Sequence, residues 1–140
     1  MRSLNKLPLQ QLCCQHYSHG EGQLEPSQQQ HYLQAIDDAW QIVLRETKQS
    51  TKQHSQQYSQ QHPQQQVLQR QFGFNSYQDT LRFVNQVADL AEQQNHHPDI
   101  LIQWRKCHID FTTHSSNGIT LNDFICASHV DGLYEKMPQK

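Results

Sequence analysis

Between Tyr77 and Ala91 the apolar side chains recur at steps of four and three, as Tyr77, Leu81, Val84, Ala88 and Ala91, flanked by Phe83, Val87 and Leu90. Such a stripe predicts an amphipathic helix. Ser76-x-x-Asp79 offers it a capping-box start, and Pro98 forces it to stop near Asn95, because the residue before a proline avoids the α region. A shorter helix is predicted from Ser27, with Tyr32, Leu33, Ile36 and Ala39 near one face. Trp40, read as a core anchor, then leads into the β-branched run of residues 41–45, which predicts a strand.

Elsewhere the period drops to two. Leu68, Arg70, Phe72 and Phe74 share one face of a strand over residues 67–74. Residues 100–104 and 107–113 predict two more strands, and in the second Cys107, Ile109, Phe111 and Thr113 alternate with His108, Asp110, Thr112 and His114. One face of that strand is core and the other wet, which leaves His108 as a surface residue. Gly118 turns the chain into a last helix begun by Thr120-x-x-Asp123, with Phe124, Ile125, Ala127, Ser128 and Val130 available for packing. The order helix, strand, strand, helix, strand, strand, helix predicts an α+β domain: a four-stranded antiparallel sheet with three helices on one face, the other face left to be covered.

The remaining stretches are polar. Residues 1–26 carry Gly20, Gly22 and Pro26 and are expected to form a flexible N-terminal segment ahead of a domain over residues 27–134, with residues 135–140 as a frayed tail. Residues 49–66 are half glutamine, with Tyr58 alone to bury, so they are expected to be a mobile insertion between two strands. His54 and His62, inside it, read as solvated.

Composition narrows the partners. Eleven Lys and Arg against thirteen Asp and Glu give a net charge of −2, which does not make the concentrated positive field that nucleic acid or an anionic membrane requires. The hydrophobic share of 34% and a mean hydropathy of −0.91 agree with part of the chain lying outside the core. No run approaches the roughly eighteen apolar residues of a membrane span, and the N-terminus has no apolar stretch of the kind a secretory signal needs. Cys13, Cys14, Cys107 and Cys126 read as reduced thiols of a cytoplasmic protein. Cys13 and Cys14 with His16 and His19 fit no closed four-ligand metal site.

The chemistry concentrates in residues 92–123, where the vicinal pair His96-His97 precedes Pro98 and a third histidine, His114, precedes a Ser-Ser-Asn-Gly turn. Imidazole, with an unperturbed pKa of roughly 6.5, both gives and accepts protons near neutrality. A histidine zinc site is the rival reading, but C-x-x-C, H-E-x-x-H and a carboxylate at helical spacing from the pair are all missing, so no metal is expected.

Asn95-His96-His97-Pro98-Asp99, Trp104, Thr113-His114, Gly118-Ile119-Thr120 and Asn122-Asp123-Phe124-Ile125 together resemble the signature of the pterin-4a-carbinolamine dehydratases. Phe72-x-Phe74-x-x-Tyr77 and Val87-Ala88-x-x-Ala91-Glu92 extend the likeness, which covers about residues 67–131 with a weaker echo over residues 33–40. The resemblance implies the same α+β fold, a homodimer or homotetramer built through the open sheet face, and a pterin substrate with neither metal nor other cofactor. The implied reaction removes water from 4a-hydroxytetrahydropterin to give a quinonoid dihydropterin, which is recycled for an aromatic amino acid hydroxylase. It assigns proton transfer to His96 and His114, substrate binding and polarisation to His97, and hydrogen bonds to the pterin edge to Asn95, Thr113 and Ser115. Which histidine is acid and which base stays open. Asp123 counts as a site residue in the family, whereas its spacing alone reads as a helix cap; the two roles are compatible. Some proteins of this fold instead act as a transcription factor's dimerisation cofactor or a Rubisco assembly helper, so a non-catalytic binding role is the alternative.

Overall fold

The computed structural model describes residues 9–46 and 64–138. Its elements are α1 (Pro26–Leu33), β1 (Gln41–Glu46), β2 (Gln64–Gly73), α2 (Tyr77–Gln94), β3 (Asp99–Gln103), β4 (Lys106–Phe111) and α3 (Leu121–Glu135), with single 3-10 turns at Leu9–Gln11 and His114–Ser116. The four strands form one antiparallel sheet in the order β1-β2-β4-β3. The expected α+β architecture and element order are therefore present. No helix among the described residues is long and apolar enough to cross a membrane.

Strand alternation builds the core. Leu68 and Phe72 of β2 and Cys107, Ile109 and Phe111 of β4 are all essentially buried, and they meet Phe83 and Val87 of α2 and Phe124 and Val130 of α3. Trp40 is buried against Phe72 and Phe111, as its position before β1 predicts. Its Nε1–H donates to Asp131 Oδ1 at 2.8 Å. Arg70, on the core side of β2, lies over the Phe72 ring and reaches the same carboxylate at 2.7 Å. On the opposite sheet face Arg45 crosses from β1 to ion pairs with Asp110 of β4 and Asp99 of β3.

Several boundaries differ from the sequence expectation, each for a local reason. Helix α1 begins at Pro26 with Glu25 as its N-cap, not at Ser27, because proline presets φ for the first turn and Gln28 Oε1 accepts the Glu25 N–H at 2.9 Å. Strand β2 begins at Gln64, inside the glutamine-rich stretch, since Gln64, Gln65 and Gln66 pair with Glu46, Arg45 and Leu44. The expected mobile insertion otherwise falls on residues 47–63, outside the described residues. Trp104 lies in the β3–β4 turn and is 69% exposed. The tail is packed further than expected, α3 running to Glu135 and Met137 being buried.

The largest correction is at the N-terminus. Residues 9–25, expected to be loose, form a strap across α3 and the turn before it. Leu9 is buried, Gln10 Nε2 donates to the Ser128 carbonyl, and His129 Nε2 donates to the Leu12 carbonyl at 3.0 Å. Farther on, the Gly20 N–H donates to the Ser115 carbonyl and the Leu24 N–H to the Ile119 carbonyl. Gly22, at φ +87°, is required here, since a Cβ would meet the Tyr17 ring at 2.5 Å.

Candidate functional site

Helix α2 ends by placing Asn95 in the left-handed region, φ 53°, a conformation asparagine tolerates better than most residues. The Asn95 N–H donates to the Glu92 carbonyl and the His96 N–H to the Ala91 carbonyl, the paired bonds of a Schellman ending. Pro98 restricts the backbone immediately after. The histidine pair thus leaves the helix on a fixed backbone, with Asn95 serving that geometry.

The two imidazoles diverge. His96 turns inward, stacks on Phe111 at 6.0 Å between ring centroids, and places Nε2 2.6 Å from Asp123 Oδ1. His97 is exposed and pairs through Nε2 with Glu92 Oε2 at 2.8 Å.

Asp123 is fully buried and uses both oxygens. Oδ2 accepts the Thr120 N–H at 2.9 Å, closing the expected capping box, and the Thr113 hydroxyl at 2.8 Å. Oδ1 is left for His96. One carboxylate therefore caps α3 and orients an imidazole. Burial works to lower the His96 pKa, but the hydrogen bond and the charge of Asp123 outweigh it and hold the imidazole above its ordinary 6.5.

Beside this pair lies a cleft of about 210 Å³ lined by Gln94, Asn95 and His96 from the α2 exit, Thr113 and Ser115 from the turn after β4, Asn122 of α3, and residues 14–17 of the strap. The structure thus brings together Asn95, His96, Thr113 and Ser115, with Asp123 directly behind His96. It does not bring His97 or His114 to the cleft walls. His114 is exposed, between the two lining residues Thr113 and Ser115.

The strap wall is what sequence reasoning missed. The Cys14 N–H donates to Gln94 Oε1 at 2.8 Å, the Gln15 N–H donates to Asn122 Oδ1 at 3.0 Å, and Asn122 Nδ2 returns a bond to the Gln15 carbonyl at 2.7 Å. These are single side-chain bonds to backbone, with no periodic signal to announce them. Among the described residues no cluster of three or more histidine, cysteine, aspartate or glutamate side chains is placed to hold a metal ion.

The family model for pterin 4 alpha carbinolamine dehydratase matches residues 22–133 of this chain. Similar curated proteins include provisionally named pterin-4-alpha-carbinolamine dehydratases of Nitrosospira multiformis, 41% identical over 68 residues, and of Legionella pneumophila strain Lens, 45% identical over 67 residues. These matches cover 49% and 48% of this chain, and they span about three-fifths of the relatives' own length, 60% and 59%. The crystal structure of a transcriptional coactivator/pterin dehydratase from Brucella melitensis has the same fold, with a TM-score of 0.61 over 80% of this chain and 98% of that one, at 24% identity.

Proposed function

This chain belongs to the pterin 4 alpha carbinolamine dehydratase family, and from that premise we propose that it removes water from a 4a-hydroxytetrahydropterin to give a quinonoid dihydropterin. The setting proposed is the cytoplasm, where the product is reduced again for an aromatic amino acid hydroxylase. The observation that carries the reading is the His96–Asp123 pair, 2.6 Å long, at the wall of a cleft whose other lining groups are hydrogen-bonding side chains.

The reaction asks for two proton movements, one off ring nitrogen N5 and one onto the departing 4a-hydroxyl. Because Asp123 holds His96 above its ordinary pKa, His96 keeps its proton to higher pH than a free imidazole does, which suits the acid that protonates the leaving hydroxyl. As that proton leaves, the buried carboxylate keeps the ring in register. A base is then needed for N5, and His114 on the rim between Thr113 and Ser115 is proposed for it. His97 is proposed to bind and polarise the pterin from the open side, with Asn95, Thr113 and Ser115 offering hydrogen bonds to its edge.

Dehydration of 4a-hydroxytetrahydropterin by the purified, chelator-treated protein tests this, after subtraction of the unassisted rate. His96→Ala and His114→Ala should each lower turnover strongly, and His97→Ala should mainly raise KM. Rates equal to background in the wild-type protein would leave a binding protein on this fold. Assembly into a dimer or tetramer through the open sheet face, where Leu101 is 57% exposed, is also proposed. Light scattering that returns a monomer at micromolar concentration would refute that part alone.

A further inference from the structure

Cys14 of the strap and Cys126 of α3 place their Sγ atoms 3.5 Å apart although 112 positions separate them in the chain. Both are free thiols; Cys126 is fully buried, while Cys14 is half-buried and lines the cleft, so a small reagent in the cleft meets Cys14 first. We propose that Cys14 and Cys126 form a reversible disulfide, a redox modification site at which a hydroperoxide staples the strap to α3 beside the cleft.

The thiols are unequal, and Cys14 is the one placed to react first. A hydrogen bond from the Cys126 thiol lowers the Cys14 pKa against the opposing effect of burial, with nearby His96 assisting, whereas Cys126 is pushed far up by that same bond and by burial. The Cys14 thiolate attacks the peroxide; its O–O bond breaks, Cys14 becomes a sulfenic acid, and the leaving alkoxide or hydroxide takes up a proton. The Cys126 sulfur then attacks the Cys14 sulfur, and the sulfenic oxygen leaves as water with the Cys126 proton. Two thiols and one hydroperoxide give one disulfide, one alcohol and one water, or two waters from hydrogen peroxide. The sulfurs must close by about 1.5 Å to reach bonding distance, and the strap is the side that moves, since near Cys14 it is held by side-chain hydrogen bonds rather than by a strand or helix.

The inference stands independently of the dehydratase reading, because its readout is covalent. Full-chain protein is treated with hydrogen peroxide at neutral pH, the remaining thiols are alkylated, and linked peptides are located by fragment-ion sequencing. The expected product is an intramolecular Cys14–Cys126 link, lighter by two hydrogen atoms, reversed by dithiothreitol, retained in Cys13→Ser and lost in Cys14→Ser. Its Tm should exceed that of the reduced protein by about 5 °C or more, as expected for closing a long loop. Circular dichroism of Cys14→Ser, a change on the strap, checks that the fold survives. Cys126 recovered as a free thiol while Cys14 is paired with Cys13, joined to a second molecule or carried on to sulfinic acid would overturn the proposal.

Discussion

Helix α3 carries two buried carboxylates, Asp123 in its first turn and Asp131 two turns later, and their partners set them apart. Asp131 receives the Trp40 indole N–H, the Asp37 backbone N–H and the Arg70 guanidinium, which cannot lose its charge. Asp123 receives a backbone N–H and a threonine hydroxyl, and its one cationic partner is an imidazole beside a cleft. In the first arrangement the cation is permanent, while burial pushes the Asp131 carboxyl up from its ordinary range. In the second the cation is an imidazole that titrates, so the same side chain on the same helix faces a permanent charge in one place and a titratable one in the other.

The sharpest way to break this contrast is to remove the imidazole or the charge behind it. His96→Ala is expected to lower turnover by about 10²- to 10⁴-fold, the usual worth of a positioned proton donor, and Asp123→Asn by about 10²-fold. Asp123→Asn also removes the charge that pairs with His96, so its Tm should fall at low pH, and the loss should shrink as pH rises through the His96 titration. The double mutant should be scarcely slower than the slower single mutant if the two act as one unit. Multiplicative losses in a steady-state assay would contradict the coupling.

At the other carboxylate the expectation is reversed. Asp131→Ala leaves Arg70 buried without its nearest acid and should cost about 3 kcal/mol of stability in urea denaturation, while turnover per folded molecule is unchanged. A loss of turnover with unaltered stability would erase the distinction between the two sites.

A pH titration sharpens it further. His96 has a folded pKa raised above its unfolded value, so the stability contributed by the pair is fully present below about pH 6.5 and is lost as pH rises through the higher folded value. The alkaline limb of turnover should fall over the same rise, and in Asp123→Asn that fall should begin at lower pH. An alkaline limb that keeps its position in Asp123→Asn would show that the carboxylate does not tune His96. The smallest effect is expected at His97, whose bond to Glu92 is solvent-exposed: His97→Ala should raise KM a few-fold with turnover nearly kept.

How much of this could be read from sequence depends on what holds each part. The α2 stripe and the β4 alternation are periodic, so helix, strand and core face follow from spacing alone. The Asp123 cap followed from Thr120-x-x-Asp123, whereas its bonds to Thr113 and His96 are consequences of tertiary approach that spacing cannot show. The divergence of His96 and His97 depends on the left-handed Asn95, a single backbone angle invisible to a three-histidine argument. Residues 64–66 looked like loop by composition, yet strand pairing with β1 decides their state. The strap was hidden for a related reason: Leu9, Gln10, Leu12, Gln15 and Gln23 have no common period, and each finds a separate partner.

The strap also fixes an order of events during synthesis. Its bonds at the cleft join residues 14 and 15 to residues 94 and 122, and its outer bonds reach residues 128 and 129. The strap leaves the ribosome before its partners and has nothing to hold at the cleft until residues 94 and 122 have followed. The sheet, whose strands end at Phe111, can pair before α3 has emerged, whereas the cleft wall cannot exist until it has. Nascent chains halted shortly after β4 should therefore protect sheet amides from exchange while residues 14–17 remain open to protease, and both should close together once α3 clears the exit tunnel.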